Sequence, residues 1–268
     1  MQIRVLGCSG GIGGPKLRTT SLLVDEDILI DAGTGVADLS IDQLAKIDHV
    51  FLTHAHLDHI ASIPFMVDTA GHLRDKPLIV HGREATLQAL HAHIFNWSIW
   101  PDFTRIPSVD KPFLKFETHA VGDELKLGDR VIRTLPVNHV VPSQGFVLSS
   151  AKTGASCVFT GDTGKCEPLW DCIAQIDNLK AIIVETAFSD DERDLAERSL
   201  HLCPALLRDE LDAYKLRLAN KQVGEANWPE ILITHLKPGE SELIVSQLHM
   251  LVRDFHIRPL EQGETLTL

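Results

Sequence analysis

Short apolar runs separated by glycine and acidic turns set the rhythm of the first third of the chain. Residues 2–7 (QIRVLG), 20–25 (TSLLVD) and 27–32 (DILIDA) read as strands, because brief apolar runs bounded by turn residues are too short for stable helices. A further run at 49–53 (HVFLT) predicts a buried strand, and residues 57–70 then have helical length and spacing. More strands are predicted at 78–81, 113–117, 122–127, 131–137, 145–150, 155–160, 180–185 and 230–234. Helices are predicted near 84–94, 167–175, 204–219 and 240–252. Two series of strands, each closed by helices, imply two packed sheets with helices outside: an α/β fold built as a four-layer αββα sandwich. No Pro/Ser-rich linker or low-complexity stretch interrupts the pattern, so residues 1–268 read as one domain. Residues 95–112 (FNWSIWPDFTRIPSVDKP) are aromatic and broken by three prolines, and read as a lid-like insertion.

Composition narrows the partners. With 44% apolar and 23% charged residues over 268 positions, the chain is an ordinary globular protein that needs neither disulfide nor metal merely to fold. A net charge of −12 disfavours a large nucleic acid as partner, because an acidic surface repels polyanions. No apolar run of about 20 residues predicts a membrane span. The start, MQIRVLGCSGG, carries no signal-peptide pattern. Five cysteines without a C-x-x-C pair read as reduced thiols, hence a cytoplasmic protein. The unusual count is fourteen histidines.

Their placement carries chemistry. Thr53-His54-Ala55-His56-Leu57-Asp58-His59 follows an apolar strand directly. In an extended turn His54 and His56 share a face, while Asp58 and His59 fall at a helix start and point to an adjacent place. Two facing ligand sets of this kind can seed a two-metal site with ions about 3.5–4 Å apart. Further ligands are expected at later strand ends: His139 after RVIRTLPVN, Asp162 in FTGDTG, and His235 closing EILITH. Two divalent ions against Asp58, Asp162 and one hydroxide leave a net positive pocket, which suits an anionic phosphodiester.

These residues, in this order, resemble the metallo-β-lactamase superfamily from about residue 2 to 252. Three features look like the class II 3′,5′-cyclic-nucleotide phosphodiesterases. They are His-Leu-Asp-His-Ile-Ala-Ser-Ile-Pro after the leading His-Ala, Phe95-Asn96-Trp97 with Ile99-Trp100-Pro101-Asp102-Phe103, and Thr234-His235-Leu236-Lys237-Pro238. The resemblance also reaches ribonuclease Z: Glu185-Thr186-Ala187-Phe188 is similar to the Glu-containing turn of those enzymes, with His201 sixteen residues on. They insert an RNA-gripping arm where this chain has only 22 residues between His139 and Asp162.

The resemblance implies that His54, His56 and His139 hold one metal, that Asp58, His59 and His235 hold the second, and that Asp162 bridges them. Zinc is the first choice for such a shell, and manganese or iron fits it too. The implied activity is hydrolysis of a 3′,5′-cyclic nucleotide to a 5′-nucleotide by a metal-bridging hydroxide, with Asp58 orienting it. His201, held by Glu185, is the expected proton donor to the leaving oxygen. The alternatives are a phosphodiesterase acting on RNA 3′ ends or another diester, and a non-catalytic metal-binding module. Phe95, Trp97, Trp100 and Phe103 either stack on a base or pack as core. Arg105 and Lys237 are expected either on phosphate or in solvent. The expected partner is a small anionic diester, with no membrane and no large nucleic acid; self-association stays open.

Overall fold

The computed structural model describes residues 1–222 and 224–268. The first half runs β1 (Gln2–Gly7), β2 (Ser21–Val24), β3 (Ile28–Ile30), α1 (Ile41–Lys46), β4 (His49–Phe51), α2 (Leu57–Ile60), α3 (Ile63–Ala70), β5 (Leu78–Gly82), α4 (Glu84–His93) and β6 (Leu114–Thr118). The second half runs β7 (Glu124–Leu127), β8 (Arg130–Leu135), β9 (Gly145–Ser150), β10 (Ser156–Phe159), α5 (Glu167–Ile173), β11 (Leu179–Glu185), α6 (Arg193–Ser199), α7 (Pro204–Asn220), β12 (Glu230–Thr234), α8 (Ser241–Leu251), β13 (Ile257–Pro259) and β14 (Thr265–Thr267).

The strands form two seven-stranded sheets, β14-β1-β2-β3-β4-β5-β6 and β13-β12-β11-β10-β9-β8-β7. In the first, β14, β1, β2 and β3 pair antiparallel and β3 to β6 pair parallel. The second repeats this: β7 to β10 antiparallel, β10 to β13 parallel. Each half thus turns the carboxyl ends of its parallel strands, with their loops, toward one rim, where open α/β sheets place ligands.

Three apolar clusters mark the layers. Ile3, Val5, Ile30, Phe51, Phe146, Phe159 and Ile183 fill the space between the sheets. Ile63, Met66, Val67, Leu87 and Leu90 cover the first sheet, and Trp170, Leu206, Leu211, Tyr214 and Ile244 the second. This is the αββα sandwich expected from the strand and helix pattern. Each buried large side chain contributes roughly 1.5–3 kcal/mol over leaving it in water. Arg130 on β8 adds a polar tie, donating to both Asp27 oxygens at 2.6 and 2.7 Å across the two sheets.

Two local departures bear on the site. The helix expected over 57–70 is two helices, because the Ser62 N–H donates to the Ala32 carbonyl instead of to a carbonyl of the preceding turn, and its hydroxyl donates to Gly33 at 2.7 Å. Residues 94–113 are anchored by their own rings. Phe95 and Phe103 lie in the cluster over the first sheet, with Ile94, Trp100, Ile106 and Phe113 packed against it. A ring as enclosed as Phe103, 5% exposed, has no face left for a base. Of the two readings given to them, Phe95 and Phe103 take the core one.

Candidate metal centre

The histidine-rich loop leaves β4 and is fixed at both ends. Asp31, just past β3 and in the left-handed region (φ 56°), is completely buried. Its Oδ1 accepts the Thr53 N–H at 2.8 Å and its Oδ2 the Thr53 hydroxyl at 2.8 Å. The same Oδ2 accepts His59 Nδ1–H at 2.7 Å. The Thr53 hydroxyl, having donated to Asp31, accepts from His54 Nδ1 at 2.9 Å. On the far side, His139 Nδ1 donates to the Leu200 carbonyl at 3.1 Å. All three imidazoles are therefore held by Nδ1 on the outside with Nε2 turned inward, the arrangement in which an outer partner sets the direction of a ligand.

Those inward atoms converge. Donor atoms of His54, His56, His139 and Asp162 lie within 4.8 Å of one another, and so do those of Asp58, His59 and His235. Asp162 Oδ2 stands 3.6 Å from His54 Nε2 and 3.4 Å from His59 Nε2, and Oδ1 stands 3.3 Å from His235 Nδ1. Asp58 Oδ2 is 3.6 Å from His59 Nε2 and 3.7 Å from His235 Nε2. The Asp162 carboxylate thus faces both groups. The close packing depends on two glycines. Gly161 takes φ 61° with Thr53 so near that a Cβ would sit 2.7 Å from it, and a Cβ on Gly10 would meet the His235 carbonyl at 2.4 Å.

The donor set fits metal ions. His54 Nε2 and His59 Nε2 are buried and have no hydrogen-bond partner, a costly state for polar atoms that a cation would relieve. Electrostatics point the same way. Burial opposes ionisation of Asp162, but the charges of His235 and His59 hold its carboxyl well below the usual carboxylate range. Burial also opposes a charge on His59, yet Asp162 and Asp31 push its pKa well above the ordinary value. His54, by contrast, is held well below it by burial and neighbouring imidazoles. A positive charge belongs between these carboxylates, and metal binding there displaces a proton. The histidine and aspartate clusters are consistent with a dinuclear site, and they leave the identity of the ions open.

Beside it sits a second dyad. Glu185, at the end of β11 and fully buried, accepts His201 Nδ1–H at 2.7 Å. Its oxygens also accept the N–H groups of Thr163, Ala187 and Leu202 at 3.0, 3.1 and 3.3 Å. Burial disfavours charge on His201, and the Glu185 charge and hydrogen bond overcome it, so its pKa is raised. A donor atom of His201 lies within 4.8 Å of donors on Asp162 and His235.

The model of the beta-lactamase superfamily domain matches residues 26–222. The chain belongs to the metallo-β-lactamase superfamily. Among curated proteins, it is 32% identical to a ribonuclease Z of Thermococcus kodakarensis, over 55% of this chain and 46% of that one, so it spans just under half of that relative. It is 25% identical to a probable 3′,5′-cyclic-nucleotide phosphodiesterase of Yersinia pestis, over 92% of this chain and 83% of the relative. A 3′,5′-cyclic-nucleotide phosphodiesterase of Aliivibrio fischeri is 24% identical over 97% and 91%. Among solved structures, unliganded yeast PDE1 superposes with a TM-score of 0.80 at 20% identity, covering 100% of this chain and 99% of that one. The metallo-β-lactamase fold protein YhfI from Bacillus subtilis gives 0.74 at 18% identity, covering 99% of each.

As a member of the metallo-β-lactamase superfamily, the chain brings together all seven expected metal-binding residues and both members of the Glu185–His201 dyad. It does not bring the remaining expected substrate contacts to the cluster through any hydrogen bond or ring contact among the described residues. Trp97 is 61% exposed, and Trp100 packs edge-on to Phe65 at 5.3 Å. Arg105 is exposed. Lys237 is half-buried: it donates to the Gly10 carbonyl at 3.0 Å and lies over the Phe188 ring at 5.8 Å. The sequence reading missed Asp31, which it placed at a strand end, and the Leu200 carbonyl, a backbone group with no signature in the sequence. Among the described residues, no helix is long and apolar enough to cross a membrane.

Proposed function

We propose that this chain is a dinuclear metal-dependent phosphodiesterase that opens 3′,5′-cyclic nucleotides to 5′-nucleotides. His54, His56 and His139 would hold one ion, Asp58, His59 and His235 the other, and Asp162 both. Two divalent ions there would lower the pKa of a bound water and neutralise charge on the phosphoryl oxygens. Asp58, the more exposed of the two ligand carboxylates, would orient a water from the open side.

The observation that carries the reading is His201 beside Asp162 and His235 with its Nδ1 tied to Glu185. A sugar 3′-oxygen leaves poorly as a free alkoxide, so a donor at His201 Nε2 is worth about 10²–10⁴-fold. Glu185 fixes the ring and keeps the donor cationic. A thioester, whose thiolate leaves readily, would not need such a donor. The near full-length likeness to cyclic-nucleotide phosphodiesterases supports the small cyclic substrate. Exposed Trp97, Phe65 and Leu57, the last inside the ligand loop itself, are available to a base, and stacking contributes about 1–3 kcal/mol per base.

The identity to a ribonuclease Z favours RNA 3′-end cleavage as the second reading. Against it, the chain between His139 and Asp162 is β9 and β10 joined by residues 151–155, with no arm for a polynucleotide, and the chain is acidic. The test is a side-by-side assay of metal-loaded protein on 3′,5′-cyclic AMP, 3′,5′-cyclic GMP and a 3′-extended transfer RNA. Turnover of a cyclic nucleotide with the RNA intact supports the proposal; trimming of the RNA with both cyclic nucleotides intact replaces it with the second reading.

A further inference from the structure

Three histidines with no part in the catalytic cluster line up on the inner side of the parallel strands. Parallel pairing sets Phe51 of β4 opposite His81 of β5, and His81 opposite Glu117 of β6. His49 Nδ1 lies 2.9 Å from His81 Nε2, and His81 Nδ1 lies 2.9 Å from His119 Nε2. Glu117 Oε2 is 3.5 Å from the same His81 Nδ1. His81 is fully buried, with Phe51 stacked flat on it at 4.2 Å and 9°.

We propose that His81 Nδ1, His119 Nε2 and the Glu117 carboxylate form a separate site for one zinc-class divalent ion, which staples the edge strand β6 to the rest of the fold. Donor atoms of the three lie within 4.8 Å of one another. Ligands of a tetrahedral zinc with bonds near 2.0–2.1 Å stand about 3.3 Å apart, and the observed 2.9 and 3.5 Å bracket that. His81 has its other nitrogen bonded to His49 at 2.9 Å, the outer partner that orients a metal ligand, and His119 Nδ1 faces the Asp123 carboxylate 3.9 Å away.

The place explains the use. β6 is the outer strand of its sheet, and such an edge needs covering or pinning. The loop that follows it is bound to β8, with Thr134 donating to Ala120 and accepting from Gly122 N–H. An ion at His81 would therefore tie β5, β6 and, through that loop, the second sheet. The His81 carbonyl also accepts Leu52 N–H, two residues before His54, so the same clamp supports the strand that delivers the catalytic loop.

The test is zinc per chain, by elemental analysis after equilibrium dialysis, for the wild type and for Glu117→Gln/His119→Gln. The expected result is one fewer ion in the double variant, whatever the wild-type total. That difference is independent of how many ions the catalytic cluster holds. Equal zinc content overturns the proposal and leaves the three rings a hydrogen-bonded imidazole chain. Should the double variant not fold, Glu117→Gln alone, at a half-exposed position, is titrated with zinc. Weakening of one ion by at least about 10-fold supports the site, and unchanged affinity for every ion overturns it.

Discussion

Replacing Asp31 with Asn leaves the side-chain volume nearly unchanged and replaces no proposed ligand, yet through its bond to His59 it should disarm that ligand. In the native arrangement Asp31 Oδ1 accepts Thr53 N–H, while Oδ2 accepts both His59 Nδ1–H at 2.7 Å and the Thr53 hydroxyl at 2.8 Å. Asparagine keeps one acceptor. With that oxygen on Thr53 N–H, its NH₂ faces His59 Nδ1–H, donor against donor. An unmade bond of this kind in a buried site costs about 1–3 kcal/mol. The imidazole escapes it by moving its proton to Nε2, the nitrogen 3.4 Å from Asp162, and a protonated Nε2 has no lone pair for a cation. Loss of an outer partner typically weakens metal binding about 10–100-fold, or roughly 1.4–2.7 kcal/mol. Zinc competition against a chromophoric chelator would show one ion weakened by that factor in the variant. Activity should rise toward the wild-type plateau as free zinc is raised. Zinc affinity equal to wild type would refute the argument that Asp31 sets the His59 tautomer.

Other outcomes follow from the same geometry. His201→Ala should lower kcat on a cyclic nucleotide by about 10²–10⁴-fold and far less on bis(p-nitrophenyl) phosphate, whose leaving group needs little protonation; equal losses would remove the donor role. Phe103→Ala should cost about 3–5 kcal/mol in denaturant unfolding, as expected for an emptied core site, without a specific rise in KM. Trp97→Ala should spare stability and raise KM for a cyclic purine nucleotide, and an unchanged KM would take that ring out of substrate binding. Burial pushes the Cys8 and Cys157 thiols up to about 12, so at pH 8 iodoacetamide should leave both unmodified in the native protein, checked by mass spectrometry; rapid labelling of Cys157 would contradict its place between the sheets.

The metal centre was legible where its residues are contiguous or stand at strand ends. His54 through His59 announce themselves, because three imidazoles and a carboxylate crowded directly after an apolar strand converge on a cation far more readily than they solvate a surface turn. His139, Asp162 and His235 follow from needing ligands at the ends of later strands. Asp31 did not show itself, since its bond to His59 spans 28 residues and its sequence context is an ordinary strand end. The broken helix at Ser62 depends on bonds to Ala32 and Gly33 that only tertiary structure supplies. Strand β14 is brief and partly exposed, and pairs with β1 from the opposite end of the chain, so no local pattern marks it. The histidines at 49, 81 and 119 are scattered in sequence and converge only through the register of parallel strands. Aromatic spacing in 95–103 could not separate ring stacking on a ligand from packing, and the structure divides the set: Phe95 and Phe103 inward, Trp97 outward.

The central claim is most directly tested by the product of 3′,5′-cyclic AMP incubated with zinc-loaded protein, with bis(p-nitrophenyl) phosphate measured alongside. The account predicts 5′-AMP as the nucleotide released, at a kcat/KM well above that for the artificial diester. Hydrolysis of the artificial diester with cyclic AMP left intact would contradict it, keeping the metal chemistry and removing the cyclic nucleotide as substrate.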